Sequence, residues 1–153
     1  MQPANPMQSR SEIAVQRFSD THNCAQAVLT TYAPLFDVKE TDALRLATGF
    51  GGGMGRLQEV CGAVTGAFLV IGCCCGMRQP TDKAAKNRTY ELVHELGVRF
   101  AASHGTLLCR DLLGCDLNTA DGKAQFKEQK LKDTKCSVYV RDASRLLEEM
   151  LPL

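Results

Sequence analysis

Apolar residues recur at helical spacing along most of this chain, and nowhere do they alternate with polar ones for the length of a strand. Ile13, Val15 and Phe18 mark a first helix opening at Ser11, and the cap-rich break Ser19-Asp20-Thr21-His22-Asn23 closes it. Cys24 to Tyr32 follows, with Cys24, Val28 and Thr31 at helical spacing and Pro34 as its limit. Thr41 predicts the cap of a short helix carrying Leu44, Leu46 and Ala47. A glycine run, Gly49 to Gly55, then precedes an uncharged segment, Val60 to Met77, that predicts a helix from about Glu59 to between Gly72 and Gly76. Pro80-Thr81-Asp82 opens a long helix to about Ser103, with Leu92, Val93, Leu96 and Phe100 as its apolar positions and Gly105 as its stop. Thr106 caps a short helix, Leu107 to Leu113, which Gly114 interrupts. The polar stretch Asn118 to Lys132 carries signals for a helical turn or two. Asp133-Thr134 then caps a final amphipathic helix with the stripe Tyr139, Ala143, Leu146, Leu147 and Met150.

The expectation is an all-α, compact single-domain bundle of five to seven helices over residues 9–153. A glycine- and cysteine-rich buried helix would stand at its centre, and residues 1–8, with two prolines, would form a flexible tail. The 153 residues and 44% apolar content suit one core. Basic and acidic residues nearly balance at 18 to 17, so nothing electrostatic points to nucleic acid as a partner. Val60 to Met77 sits at the short end of membrane-spanning length. It carries four glycines and lacks aromatic anchors, so a buried helix is expected rather than membrane insertion. The first residues lack a basic start followed by an apolar stretch, which makes a reducing cytoplasm the expected compartment. The glycine-flanked central helix could also pack against a copy of itself in a homodimer.

Eight cysteines are the compositional anomaly. In a reducing compartment they act as ligands, redox groups or packed core residues more often than as bridges. Four of them fall near expected helix starts: Cys24 after the Asp20–Asn23 break, Cys61 after the glycine run, Cys109 beyond Thr106 and Cys136 beyond Thr134. A helix N-terminus offers unpaired amides and partial positive charge, so a thiol there ionises more easily and becomes a better nucleophile and ligand. The adjacent Arg110 and Lys135 should push the same way. Cys73, Cys74 and Cys75 lie about 18 Å along the same helix from Cys61 and point to different sides of it, so they are expected to pack rather than join the site. Cys115, across Gly114 from Cys109, could turn back as a resolving thiol.

No C-x-x-C pair or ferredoxin-type run is present, so any metal site must be assembled from distant segments. The glycine run lacks G-K-[ST] and fits G-x-G-x-x-G in no register; tight backbone turning beside a site, or an anion cradle aided by Arg56, is the expectation. His22, two residues from Cys24, is a cap or surface residue on the plain reading and a ligand or proton partner on the sharper one. His94 and His104 share a helix but point to different sides of it.

Asn23-Cys24-Ala25-Gln26-Ala27-Val28, Cys61-Gly62-Ala63-Val64-Thr65-Gly66, Cys109-Arg110-Asp111-Leu112-Leu113-Gly114 and Lys135-Cys136 together resemble the C_GCAxxG_C_C family, bacterial and archaeal proteins of about this length described as redox-active. The resemblance covers roughly residues 11–150. It implies that Cys24, Cys61, Cys109 and Cys136 are the signature cysteines and leaves Cys73 to Cys75 outside the signature. Three chemistries follow as expectations: electron transfer or redox sensing on an iron–sulfur cluster held by the four thiolates, thiol–disulfide exchange through the same residues, or a structural metal site. A helical interaction protein with inert cysteines is the fourth reading. The redox partner protein is not specified by the sequence.

Overall fold

The computed structural model describes residues 8–153. The expected tail at residues 1–8 therefore lies almost wholly outside the described residues. Eight α-helices of five or more residues run in the order α1 (Arg10–Asp20), α2 (Cys24–Tyr32), α3 (Glu40–Ala47), α4 (Gly62–Cys75), α5 (Lys83–His104), α6 (Cys109–Leu113), α7 (Ala120–Glu128) and α8 (Ser137–Met150). Among the described residues there is no strand, only one isolated antiparallel bridge between Val60 and Leu108. The architecture is all-α, as expected, with one helix more than the upper end of the expected range. The addition is α7, in the polar stretch expected to hold a turn or two: Thr119 caps it by accepting from the Gly122 amide.

Side-chain caps set several other helix starts. Ser9 accepts from the Glu12 amide at α1, and Asp82 from the Ala85 amide at α5. At α2, Asn23 and Gln26 form a reciprocal capping box. Gly105 and Gly114, both with positive φ, end α5 and α6. Thr41 does not cap α3, which begins at Glu40 after Lys39.

α4 is the buried central helix. Its Ala63, Val64, Ala67, Val70 and Ile71 are fully buried. They pack with Ala25, Val28 and Leu29 of α2, Leu96 and Phe100 of α5, and Val140, Ala143 and Leu147 of α8 in one apolar cluster. Gly66 permits the closest of these approaches, since a Cβ there would stand 2.8 Å from the Ala25 carbonyl oxygen. At the α1–α2–α8 side, the buried Tyr32 hydroxyl meets the Ser144 carbonyl at 3.0 Å and the Ser144 hydroxyl at 2.6 Å. No helix among the described residues is long and apolar enough to cross a membrane.

Candidate functional site

All four signature-like cysteines line one cavity of about 340 Å³. Its remaining wall is mostly apolar, built from Phe18, Leu112, Leu113, Leu117, Phe126 and Tyr139. Each cysteine arrives there for a separate structural reason.

Cys24 is the first residue of α2, behind the Asn23–Gln26 capping box. That box is anchored in turn: Asn23 Nδ2 donates to the Thr48 carbonyl at 3.0 Å, and Gln26 Nε2 to the Leu44 carbonyl at 3.1 Å. Gly62 leaves the room that Cys24 Sγ fills, because a Cβ on Gly62 would collide with that sulfur and lie 2.9 Å from the Phe50 carbonyl oxygen. Cys61 is the N-cap of α4. Its amide donates to the Leu107 carbonyl at 2.8 Å, and the Cys109 amide donates to the Glu59 carbonyl at 2.7 Å. These two bonds flank the Val60–Leu108 bridge and clamp Cys61 beside Cys109, the first residue of α6.

Cys136 reaches the cavity differently. Asp133-Thr134 does not cap the last helix; Thr134 Oγ1 instead donates back to the Lys130 carbonyl at 3.0 Å, inside a helical run. Lys132–Cys136 forms a π-helical turn that continues directly into α8, and Cys136 has ordinary right-handed helical angles. The expectation of a thiol at a free helix start therefore holds for Cys24, Cys61 and Cys109 but not for Cys136. Such turns re-aim side chains and recur at functional sites. Tyr139, one turn further on, fastens α8 to α6 by donating to the Leu112 carbonyl at 3.1 Å.

The glycine run is not a loose loop. Gly52, Gly53, Met54, Gly55 and Arg56 all have positive φ between 60° and 67°, a left-handed turn over five successive residues. Glycine takes this shape freely, whereas Met54 and Arg56 each cost about 1–2 kcal/mol. The turn is tied across its base by Gln58 N–H to the Gly52 carbonyl and Glu59 N–H to the Gly53 carbonyl. Gly52 and Gly53 line the cavity, and a Cβ on Gly53 would stand 2.7 Å from Cys109 Cβ. The expected turning beside a site is thus present, but Arg56 is not part of the cavity wall.

The electrostatics reverse one expectation. Helix starts were expected to lower the thiol pKa values, yet burial raises all four. Burial lifts Cys24 despite backbone amides of Gly52, Ala25 and Gly62 directed at its sulfur. It lifts Cys61 well above the usual range, with Cys24, Cys136 and Cys109 adding to the rise. Cys109 is pushed up to about 11 and Cys136 to about 12, by burial first and by neighbouring thiols next. Desolvation outweighs the helix ends, and among the described residues no cation contributes to the shift at these four sulfurs. Arg110 instead pairs with the Glu59 carboxylate and donates to the Gln58 carbonyl. Lys132 lines the cavity, but its Nζ sits 5.2 Å from the centre of the Phe18 ring. The charge of Lys135 is felt at Cys115, where it opposes the upward push of burial.

All eight cysteines are free thiols. Among the described residues no three His, Cys, Asp or Glu side chains converge closely enough to grip one metal ion. The four thiols surround a volume rather than a point. Cys73, Cys74 and Cys75 lie at the far end of α4, half-buried, and do not line the cavity. Cys115 belongs to the small apolar cluster of Cys109, Leu113 and Leu131, against which Cys136 also packs, but it faces an outer groove with Arg110 and Asp116.

Two contributors escaped the sequence reading. Gln58 is 96% buried, with positive φ; its Nε2 donates to the Cys115 carbonyl at 2.9 Å and its Oε1 accepts from the Leu117 amide at 2.8 Å. It thereby fastens the 115–117 loop to the Cys109 wall, and no pattern in the chain marks it. The other is Tyr139, visible in the sequence only as part of an apolar stripe. His22 lies between the α1 C-cap Thr21 and the α2 N-cap Asn23, as its plain cap-region reading expects, and it also lines the cavity.

Comparison with curated proteins and with solved structures gives no match. A family model described as "Putative redox-active protein (C_GCAxxG_C_C)" matches residues 22–150, a span that includes all four cavity cysteines. The chain belongs to the C_GCAxxG_C_C family.

Proposed function

We propose that this protein is an electron-transfer or redox-sensing module that holds an iron–sulfur cluster on Cys24, Cys61, Cys109 and Cys136. The observation that carries this reading is the cavity itself: four thiols from four separate segments, Cys61 and Cys109 buried and Cys24 and Cys136 partly so, surround one space, and Cys24, Cys109 and Cys136 each raise the pKa of others among them. Such thiols are poor free nucleophiles, because ionising any one of them in place is costly. Iron would supply the missing positive charge, and four thiolates are the usual complement of a cluster. The residues fit such a group in two further respects. Amides of Gly52, Ala25, Gly62 and Ala63 are directed at Cys24 or Cys61, where they would hold anionic sulfur. Gly53 and Gly62 keep the wall free of side chains that would fill it.

Within this function the chain's own parts have distinct roles. The α2 and α4 starts hold two sulfurs in a field of amide dipoles. The 58–61 and 107–110 clamp fixes the spacing of Cys61 and Cys109. Phe18, Leu113, Leu117 and Phe126 keep water away, and so set the potential at which an electron enters. When bound, the cluster supplies one-electron redox chemistry.

A thiol–disulfide role for the same cysteines is the second reading, and Cys115 is what favours it. Its charge is felt at both Cys109 and Cys136, and it opens to an outer groove where a partner's disulfide could be met. The test is anaerobic purification followed by iron and acid-labile sulfide analysis. Brown protein with matching iron and sulfide supports the cluster. Colourless, iron-free protein whose reduction potential shifts in Cys109→Ser would replace it with the disulfide reading.

A further inference from the structure

One buried polar side chain outside the cavity wall touches a cysteine that lines it. Gln58 borders the outer groove beside Cys115, and its carboxamide is held at both ends. Its Oε1 accepts from the Leu117 amide at 2.8 Å, and its Nε2 donates to the Cys115 carbonyl at 2.9 Å. A backbone N–H only donates and a carbonyl only accepts, so these two contacts fix which end of the carboxamide is nitrogen. That nitrogen carries a second N–H. Its other acceptor is Cys109 Sγ, at 4.0 Å, a separation that the size of sulfur permits.

Fastening the 115–117 loop uses the oxygen and one N–H, and leaves the N–H toward Cys109 unexplained. A neutral thiol is a weak acceptor for it, and an anionic sulfur is a strong one. Burial raises the Cys109 pKa, and this amide is the largest influence that opposes the rise. We propose that Gln58 Nε2–H donates a hydrogen bond to the Cys109 sulfur that strengthens on reduction, and so raises the reduction potential of the group held by the four cysteines. The direction follows from charge: the added electron makes the sulfurs more negative, so the bond favours the reduced state. Gln58 acts through Cys109, as a positioning residue rather than as a ligand. This inference rests on the iron–sulfur reading.

The test uses the full chain, loaded anaerobically with ferrous iron and sulfide, as wild type, Gln58→Met and Asn118→Ala. Gln58→Met keeps the length of the side chain and removes its N–H groups. Asn118→Ala is the control for loop position: Asn118 Nδ2 donates to the Arg56 carbonyl at 2.8 Å, tying the same loop to the left-handed turn without bonding a cavity sulfur. Removing the donor in Gln58→Met should shift the redox equilibrium roughly tenfold toward the oxidised form, about 59 mV in midpoint for one electron. Asn118→Ala should keep the wild-type potential. With glutamine labelled with 15N at the side-chain amide, pulsed electron paramagnetic resonance on the reduced wild type should show a nitrogen coupling. An unchanged potential in a fully loaded Gln58→Met overturns the role of Gln58 and leaves the cluster reading standing. An equal fall in Asn118→Ala assigns the effect to the loop and also overturns it. Wild-type protein that takes up no iron and sulfide overturns both readings. Should Gln58→Met fail to load, the wild-type spectrum decides, and the absence of a glutamine coupling sinks the proposal.

Discussion

The two ends of the central helix carry cysteines of opposite character. At the N-terminal end Cys61 meets three thiols from elsewhere in the chain, backbone amides are directed at Cys24 and Cys61, and glycines clear the wall. At the C-terminal end Cys73, Cys74 and Cys75 sit half-buried on one turn, and Cys75 Sγ donates to the Ile71 carbonyl at 3.2 Å. The first end presents N–H groups that favour anionic sulfur, and the second presents carbonyls that favour a thiol keeping its proton. Cysteine number alone therefore does not make a site; the polarity of the backbone around the sulfur and the arrival of other segments do.

Glycine substitutions should break this contrast most visibly, because the same change has opposite signs at the two ends. Gly62→Ala drives a methyl group into Cys24 Sγ and the Phe50 carbonyl, and overpacking of this kind costs about 1–3 kcal/mol. Gly72→Ala, on the same helix, meets nothing within 4 Å and should stabilise the protein by about 0.5–1 kcal/mol. Urea denaturation of both variants reads the two values directly. Equal effects would mean that the cavity wall is not tightly packed.

Thiol reactivity separates the ends next. In metal-free protein at pH 8, Cys109 and Cys136, with pKa values pushed up to about 11 and about 12, hold a hundredfold or more less thiolate than an ordinary cysteine, in order-of-magnitude terms. Alkylation followed by peptide mapping should label Cys74 well before either. Rapid labelling of Cys136 would contradict the burial described above. The same shifts couple to folding. These folded-state values lie above the unfolded value near 9, so the folded state binds more protons between them. The stability of metal-free protein is complete below about pH 9 and falls as pH rises toward 11–12. Denaturation midpoints from pH 8 to pH 10.5 test that slope.

The smallest effect concerns the clamp on the cavity wall. Tyr139→Phe removes the bond to the Leu112 carbonyl and should cost about 1 kcal/mol, with a correspondingly modest drop in Tm. Thr89→Ala, at the far end, removes a hydroxyl that donates to both the Ala85 and Cys75 carbonyls, and should leave iron uptake untouched.

Much of this arrangement is legible along the chain because caps and glycines are local signals. Asn23, Asp82, Gly105 and Gly114 mark real boundaries, and Asn23 puts Cys24 at a helix start; the start at Cys109 follows Leu108 without a side-chain cap, two residues later than the expected Leu107. Cys136 departs from its expected place for a physical reason. Asp133-Thr134 has the composition of a cap, but Thr134 bonds backward to Lys130, and a π turn carries the helix through it. The thiol pKa values run opposite to the pattern because a helix end is visible in sequence and desolvation is not. Burial depends on Phe18, Leu113 and Phe126 closing over the sulfurs, which no local pattern reports. Gln58 leaves no mark in the sequence because its hydrogen bonds reach residues more than fifty positions away. The left-handed turn at Gly52–Arg56 showed only as a glycine run, which signals freedom to turn but not the turn adopted.

Iron and sulfide content after anaerobic reconstitution of the wild type and of two serine variants tests the central claim most directly. One variant replaces Cys61 and Cys109, and the other replaces Cys73, Cys74 and Cys75. A cluster in the wild type and in the triple variant, lost in the double variant, is the predicted result; loading that survives the double variant, or that is absent from the wild type, would contradict it.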